Sequence, residues 1–108
     1  MGTRLELEFK YMGGGMFEAH PETGSPWIFS SVEARFSRPE LRTIGVLVGT
    51  TPKDSIVLYE TFTKSICFGI APEVVLPGEF KVFLFVNPEE PQISVTGYWR
   101  RWEGKDEG

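Results

Sequence analysis

Near the C-terminal third, Phe80–Val86 (F-K-V-F-L-F-V) is apolar on both of its alternating rows. Phe80, Val82, Leu84 and Val86 form one row, and Phe83 and Phe85 form the other, interrupted only by Lys81. Successive side chains of a strand point to opposite faces, so this strand needs cover on both sides. Ile44–Val48 repeats the demand, with Ile44, Val46 and Val48 opposed by Leu47. A domain of this size has one core, so the second face must be covered by the chain's own loop, a second copy or another protein.

The rest of the chain follows the same period of two. Residues 4–11 read as one half-buried strand, with Leu5, Leu7, Phe9 and Tyr11 on one side and Glu6, Glu8 and Lys10 on the other. Residues 12–26, with Gly13-Gly14-Gly15, His20-Pro21, Gly24 and Pro26, read as a long flexible loop. Trp27–Ser37 resumes as strand with Val32, Ala34 and Phe36 inward. Leu41–Gly49, Ser55–Phe62, Ser65–Ile70, Phe80–Val86 and Gln92–Trp102 follow, separated by turn residues. Ala71–Gly78 carries Pro72 and Pro77 and reads as loop or edge segment. No stretch keeps helical spacing over ten residues.

Seven to eight short strands with regular turn signals predict an all-β fold: a single antiparallel β-sandwich, immunoglobulin-like or jelly-roll-like. The domain spans residues 1–108, with a frayed polar tail at 103–108. Pro77-Gly78-Glu79-Phe80-Lys81-Val82 resembles the turn into a late strand of immunoglobulin-like and fibronectin-like sandwiches, which supports the same architecture.

Composition narrows the function classes. An apolar share of 41% with nine Phe is globular rather than disordered. A net charge of −4 argues against a dedicated nucleic-acid binder, which needs clustered Lys and Arg. No apolar leader or membrane span is read, so no signal peptide and no membrane contact are expected, and the cytoplasm or a virion is the expected setting. Asn87 and Gln92 are the only amide residues, a depletion of thermolabile side chains that fits a thermophilic source.

Candidate chemistry is sparse. Cys67 is the one cysteine and lies in an apolar run, so it is expected as a buried small hydrophobe. His20 is the one histidine and is expected in a solvated loop. One His and one Cys do not make a structural zinc site, and Gly13-Gly14-Gly15 lacks the Lys-Ser/Thr and helix of a phosphate loop. Paired acids such as Glu6 with Glu8, or Glu33 with Glu60, read as solvated strand faces. The chain is therefore expected to be no enzyme and to carry no cofactor.

Tyr98-Trp99-Arg100-Arg101-Trp102 is the best binding feature, because Tyr, Trp and Arg are enriched at protein interfaces. Alternation puts Trp99 and Arg101 on one face and Tyr98, Arg100 and Trp102 on the other. Trp27, after the long loop, is a second aromatic candidate. With Phe83 and Phe85 these residues make up the expected protein interface. The expected role is a structural protein that homo-oligomerises or docks on a larger protein assembly, such as a capsid-decorating or tail-associated virion accessory. The alternatives are a glycan-binding module that stacks sugars on exposed Trp, and a small inhibitor that masks a partner protein.

Overall fold

The computed structural model describes residues 3–104. All regular structure in that range is strand: β1 (Leu5–Leu7), β2 (Lys10–Gly13), β3 (Met16–Ala19), β4 (Trp27–Arg35), β5 (Arg42–Gly49), β6 (Ser55–Thr63), β7 (Cys67–Ile70), β8 (Val74–Leu76), β9 (Lys81–Asn87) and β10 (Ser94–Arg101). They form two antiparallel five-stranded sheets. The first runs β1-β10-β4-β7, with β8 also on β4; the second runs β2-β3-β9-β5-β6. β7 pairs with Val32–Arg35 and β8 with Trp27–Phe29, so two short strands share one edge of β4.

The sheets share one core. Trp27, Phe29, Val32, Ala34 and Trp99 of the first meet Phe17, Ile44, Val46, Val48, Val82, Leu84 and Val86 of the second. The inward rows expected for β4, β5 and β9 are the rows that are buried. Trp27 packs edge-on against Trp99 with ring centroids 6.1 Å apart and against Phe29 at 6.4 Å. Those T-shaped contacts suit the ring quadrupoles. This sandwich-like pairing places the second row of β9 on the outer surface of the second sheet.

Two strands lie beyond the seven to eight expected, and both come from the N-terminal quarter. Residues 4–11 keep the expected inward side but not a single partner. β1 pairs with β10 in the first sheet, whereas β2 pairs with β3 in the second. The chain changes sheet at Glu8-Phe9. Room for the corner comes from Gly97, where a Cβ would stand 2.6 Å from the Phe9 ring. Alternation is identical for a continuous strand and one that crosses a corner, so the pattern alone does not reveal the switch.

The loop expected over residues 12–26 is corrected: Met16–Ala19 is a strand, hydrogen-bonded to β9 in the register Met16↔Phe85 to Ala19↔Val82. Gly13, Gly14 and Gly15 are its hairpin turn, all with positive φ (96°, 63° and 83°), which glycine adopts without strain. The turn is docked rather than free. Val86 N donates to Gly15 O at 2.8 Å, and Gly15 N donates to the Tyr11 hydroxyl at 3.0 Å. The Tyr11 hydroxyl in turn donates to Glu89 Oε1 at 2.9 Å.

Cys67 is also corrected. It is exposed, because it shares the outward row with Arg35 while Phe68 takes the inward position opposite Ala34. Trp102–Gly104 have no regular structure, and the rest of the tail expected at 103–108 lies outside the described residues.

The hairpin geometry generates a stability test. A Cβ at Gly15 would stand 2.4 Å from the Val86 carbonyl oxygen, whereas one at Gly14 meets nothing within 4 Å. Gly14→Ala is expected to cost about 1 kcal/mol for its left-handed backbone alone, and Gly15→Ala distinctly more. Urea denaturation of the two variants beside the wild type gives the comparison.

Candidate functional site

The outer face of the second sheet can be read from its register. One row runs Lys10, Glu18, Phe83, Leu47 and Val57; the next runs Met16, Phe85, Gly45 and Glu60; a third pairs Asn87, Thr43 and Phe62. Phe83 is fully buried, yet it stands outside the central core, on the opposite side of its sheet. Its neighbours hide it: Leu47 on one side, and on the other Glu18, whose carboxylate accepts from Lys81 Nζ at 3.1 Å. Phe85 is half-buried beside Met16. The margins of the face stay bare, with Phe62 66% exposed, Met12 57% and Val57 53%. The segment 12–26, expected as a loop able to cover this face, instead contributes β3, which lies in the sheet next to β9.

The second expected patch separates into two faces, as alternation requires. Tyr98 and Arg100 lie on the outside of the first sheet and Trp102 is exposed just beyond the end of β10, while Trp99 points into the core and Arg101 sits over its ring at 5.2 Å. Trp99 and Trp27 are therefore removed from the expected interface, because both are spent as core side chains. Arg100 is engaged within the chain. It donates to Glu73, whose other carboxylate oxygen accepts from the Ser30 hydroxyl at 3.1 Å. Ser30 stands at a bulge where Tyr98 pairs with Ser31 but Trp99 with Phe29. The Arg100 hydrogen bond, with lesser help from Ser30 and against the effect of burial, holds the Glu73 carboxyl below its usual range. Arg4 stacks over Tyr98 at 4.3 Å. The eight expected interface residues thus divide between two opposite outer faces and the interior.

A cleft of about 680 Å³ opens at one end of the molecule, between the segment Phe36–Arg42 and the segment Pro88–Ser94. Its organiser is Arg42, which sequence reasoning did not single out. The side chain is 1% exposed, and its guanidinium lies 3.9 Å from the centroid of the Phe36 ring. Nε donates to Glu90 Oε2 at 2.9 Å, one terminal nitrogen to Ser65 O at 3.3 Å, and the other to Arg38 O at 3.0 Å. One cation thereby joins three connecting segments. The only signal in the sequence was a charged residue opening an otherwise apolar strand. These partners make Arg42 a structural clip rather than a free anion receptor.

The remaining candidates are quickly placed. His20 is exposed as expected, and its Nε2 lies 3.0 Å from Gly78 O, which ties the segment after β3 to the turn before β9. Among the described residues, no three His, Cys, Asp or Glu side chains group as metal ligands. No helix among them is long and apolar enough to cross a membrane. No protein-family model, curated protein or solved structure matches this chain.

Two outcomes follow from the polar contacts. Arg42→Ala removes a buried cation and strands its acceptors, so a loss of about 2–4 kcal/mol is expected in urea denaturation, with Arg42→Lys recovering only part. Glu73 has a folded pKa below its unfolded value, so its contribution is present above the usual carboxylate range and disappears as pH falls through the folded value. The stability difference between wild type and Glu73→Gln is therefore expected to be largest at neutral pH and to shrink on acidification, read from urea midpoints across that span.

Proposed function

We propose that this chain is a non-enzymatic assembly subunit, a β-sandwich of immunoglobulin-like or jelly-roll-like type. It self-associates or docks on a larger protein assembly through the outer side of its second sheet. The observation that carries this reading is the apolar tract from Met12 and Met16 through Phe85, Phe83 and Leu47 to Val57 and Phe62, bare at its margins. Contiguous apolar patches on monomers are small, and larger ones mark interaction surfaces. Each large side chain left in water forgoes roughly 1.5–3 kcal/mol relative to burial.

A virion accessory subunit, in a capsid-decorating or tail-associated place, is the class of assembly that suits a compact 108-residue sandwich with this surface. The cytoplasm or the virion is its setting on that reading. Glycan binding is the weaker alternative. Of the three tryptophans that could stack on sugars, Trp27 and Trp99 are buried and Trp102 stands alone beyond the end of β10.

Light scattering on the purified chain at several concentrations, alone and with Phe62→Lys, tests the proposal. A mass above the 12.2 kDa of one chain, reduced by the substitution, is the expected result. A strict monomer with unchanged behaviour in the variant overturns self-association.

A further inference from the structure

The five strands at the sheet margins are not equivalent. β1 and β8 have three residues, β2 and β7 have four, and β6 has nine. Very short edge strands, charges and prolines are the usual protection against unwanted pairing. β6 has none of the first or third, and Glu60 is its one charged residue. Ile56 is 61% exposed and Tyr59 44%, beside the exposed Val57 and Phe62. The two sets lie on different faces. Ile56 and Tyr59 share the inner row with Val48 and Val46, whereas Val57 and Phe62 share the outer row with Leu47 and Thr43. A partner stacked on the outer face would cover Val57 and Phe62 only. A strand added along the β6 edge would cover all four.

We propose that this strand is supplied by a second copy of the chain. Two β6 edges pair antiparallel about a two-fold axis, so that the two second sheets join into one ten-stranded sheet. The claim rests on the assembly reading above and specifies its geometry. The charges next to the strand choose the direction. Lys53 and Asp54 precede β6 and Lys64 follows it, and none of the ion pairs among the described residues uses them. In-register parallel pairing would set Asp54, Glu60 and Lys64 each against its own copy. Antiparallel pairing brings the Asp54 end of one strand to the Lys64 end of the other, and like charges directly opposite are destabilising. An isologous two-fold contact of this kind closes on itself, so the same contact does not propagate. The two-fold axis then falls at Tyr59, residue 55 of one copy faces 63 of the other, and Leu58, the one residue of β6 without a partner in β5, sits beside the axis.

The test uses the full chain. In a Cys67→Ser background, Ser55→Cys and Thr63→Cys variants are made separately, mixed and oxidised, while light scattering follows Ile56→Lys and Met12→Lys. The expected results are a dimeric wild type, a dominant mixed disulfide between residues 55 and 63, and a dimer dissociation constant raised about tenfold or more by Ile56→Lys but not by Met12→Lys. A dimer that resists Ile56→Lys, yields to Met12→Lys and gives no mixed disulfide overturns edge pairing and leaves the assembly reading standing. A monomer throughout overturns edge pairing and self-association together.

Discussion

β9 is held between β3 and β5 with apolar side chains on both of its faces, and the rest of the molecule is arranged around that constraint. Val82, Leu84 and Val86 supply the second sheet's share of the core and commit that sheet to packing on the first. The price is a second apolar row on the outside. The sheet hides the centre of that row by lateral packing: Phe83 disappears among Leu47, Glu18 and the Lys81 ion pair. This solution works only where a strand has neighbours on both sides. At β6 and at the β2–β3 hairpin there is no further strand, so Phe62, Val57 and Met12 remain in water. Exposed apolar surface at the margins thus follows from the same strand that closes the core.

Polar side chains, buried and exposed, work as fasteners for connecting segments. Arg42 gathers Glu90, Ser65 and Arg38 at one end, and Tyr11 with Glu89 fixes the glycine hairpin to the segment after β9. Arg100, Ser30 and Glu73 join β10, β4 and the segment before β8. Most of these contacts join residues far apart in sequence, and those of Arg42 satisfy a buried cation that is costly to leave unpaired. The cations that looked available for recognition, Arg100 above all, are thereby occupied within the chain. What remains for contact with other molecules is mainly apolar and lies on the second sheet, which is why its outer side and edge, and not the aromatic C-terminal strand, carry the functional proposal.

Much of the fold was legible because period-two patterning is a local property. The inward rows of β4, β5 and β9 and the division of Tyr98 and Arg100 from Trp99 could be read directly from alternation. The outward placement of Phe83 and Phe85 could be read in the same way. What alternation does not encode is which sheet a strand joins. The corner at Glu8-Phe9 depends on Gly97, some ninety positions away, lacking a side chain. β3 was hidden because its four residues follow three glycines whose positive φ makes a tight turn instead of a loose linker. Trp27 was undecidable locally, since its burial comes from Trp99 and Leu76 on other strands. Arg42 was invisible for the same reason: its three acceptors lie on three separate segments. The two-sided character of Ser55–Phe62 was present in the sequence, but its exposure is set by β6 taking the edge of the sheet.

The central claim is that the outer side of the second sheet is covered in the working form of the protein. Hydroxyl-radical footprinting of the purified chain at high and low concentration addresses it residue by residue. Val57 and Phe62 are expected to be shielded at high concentration and to become reactive on dilution, while Trp102, just beyond the end of β10 in the first sheet, reacts equally in both. Oxidation of Val57 and Phe62 at the rate of freely exposed side chains, unchanged by concentration, would contradict the account.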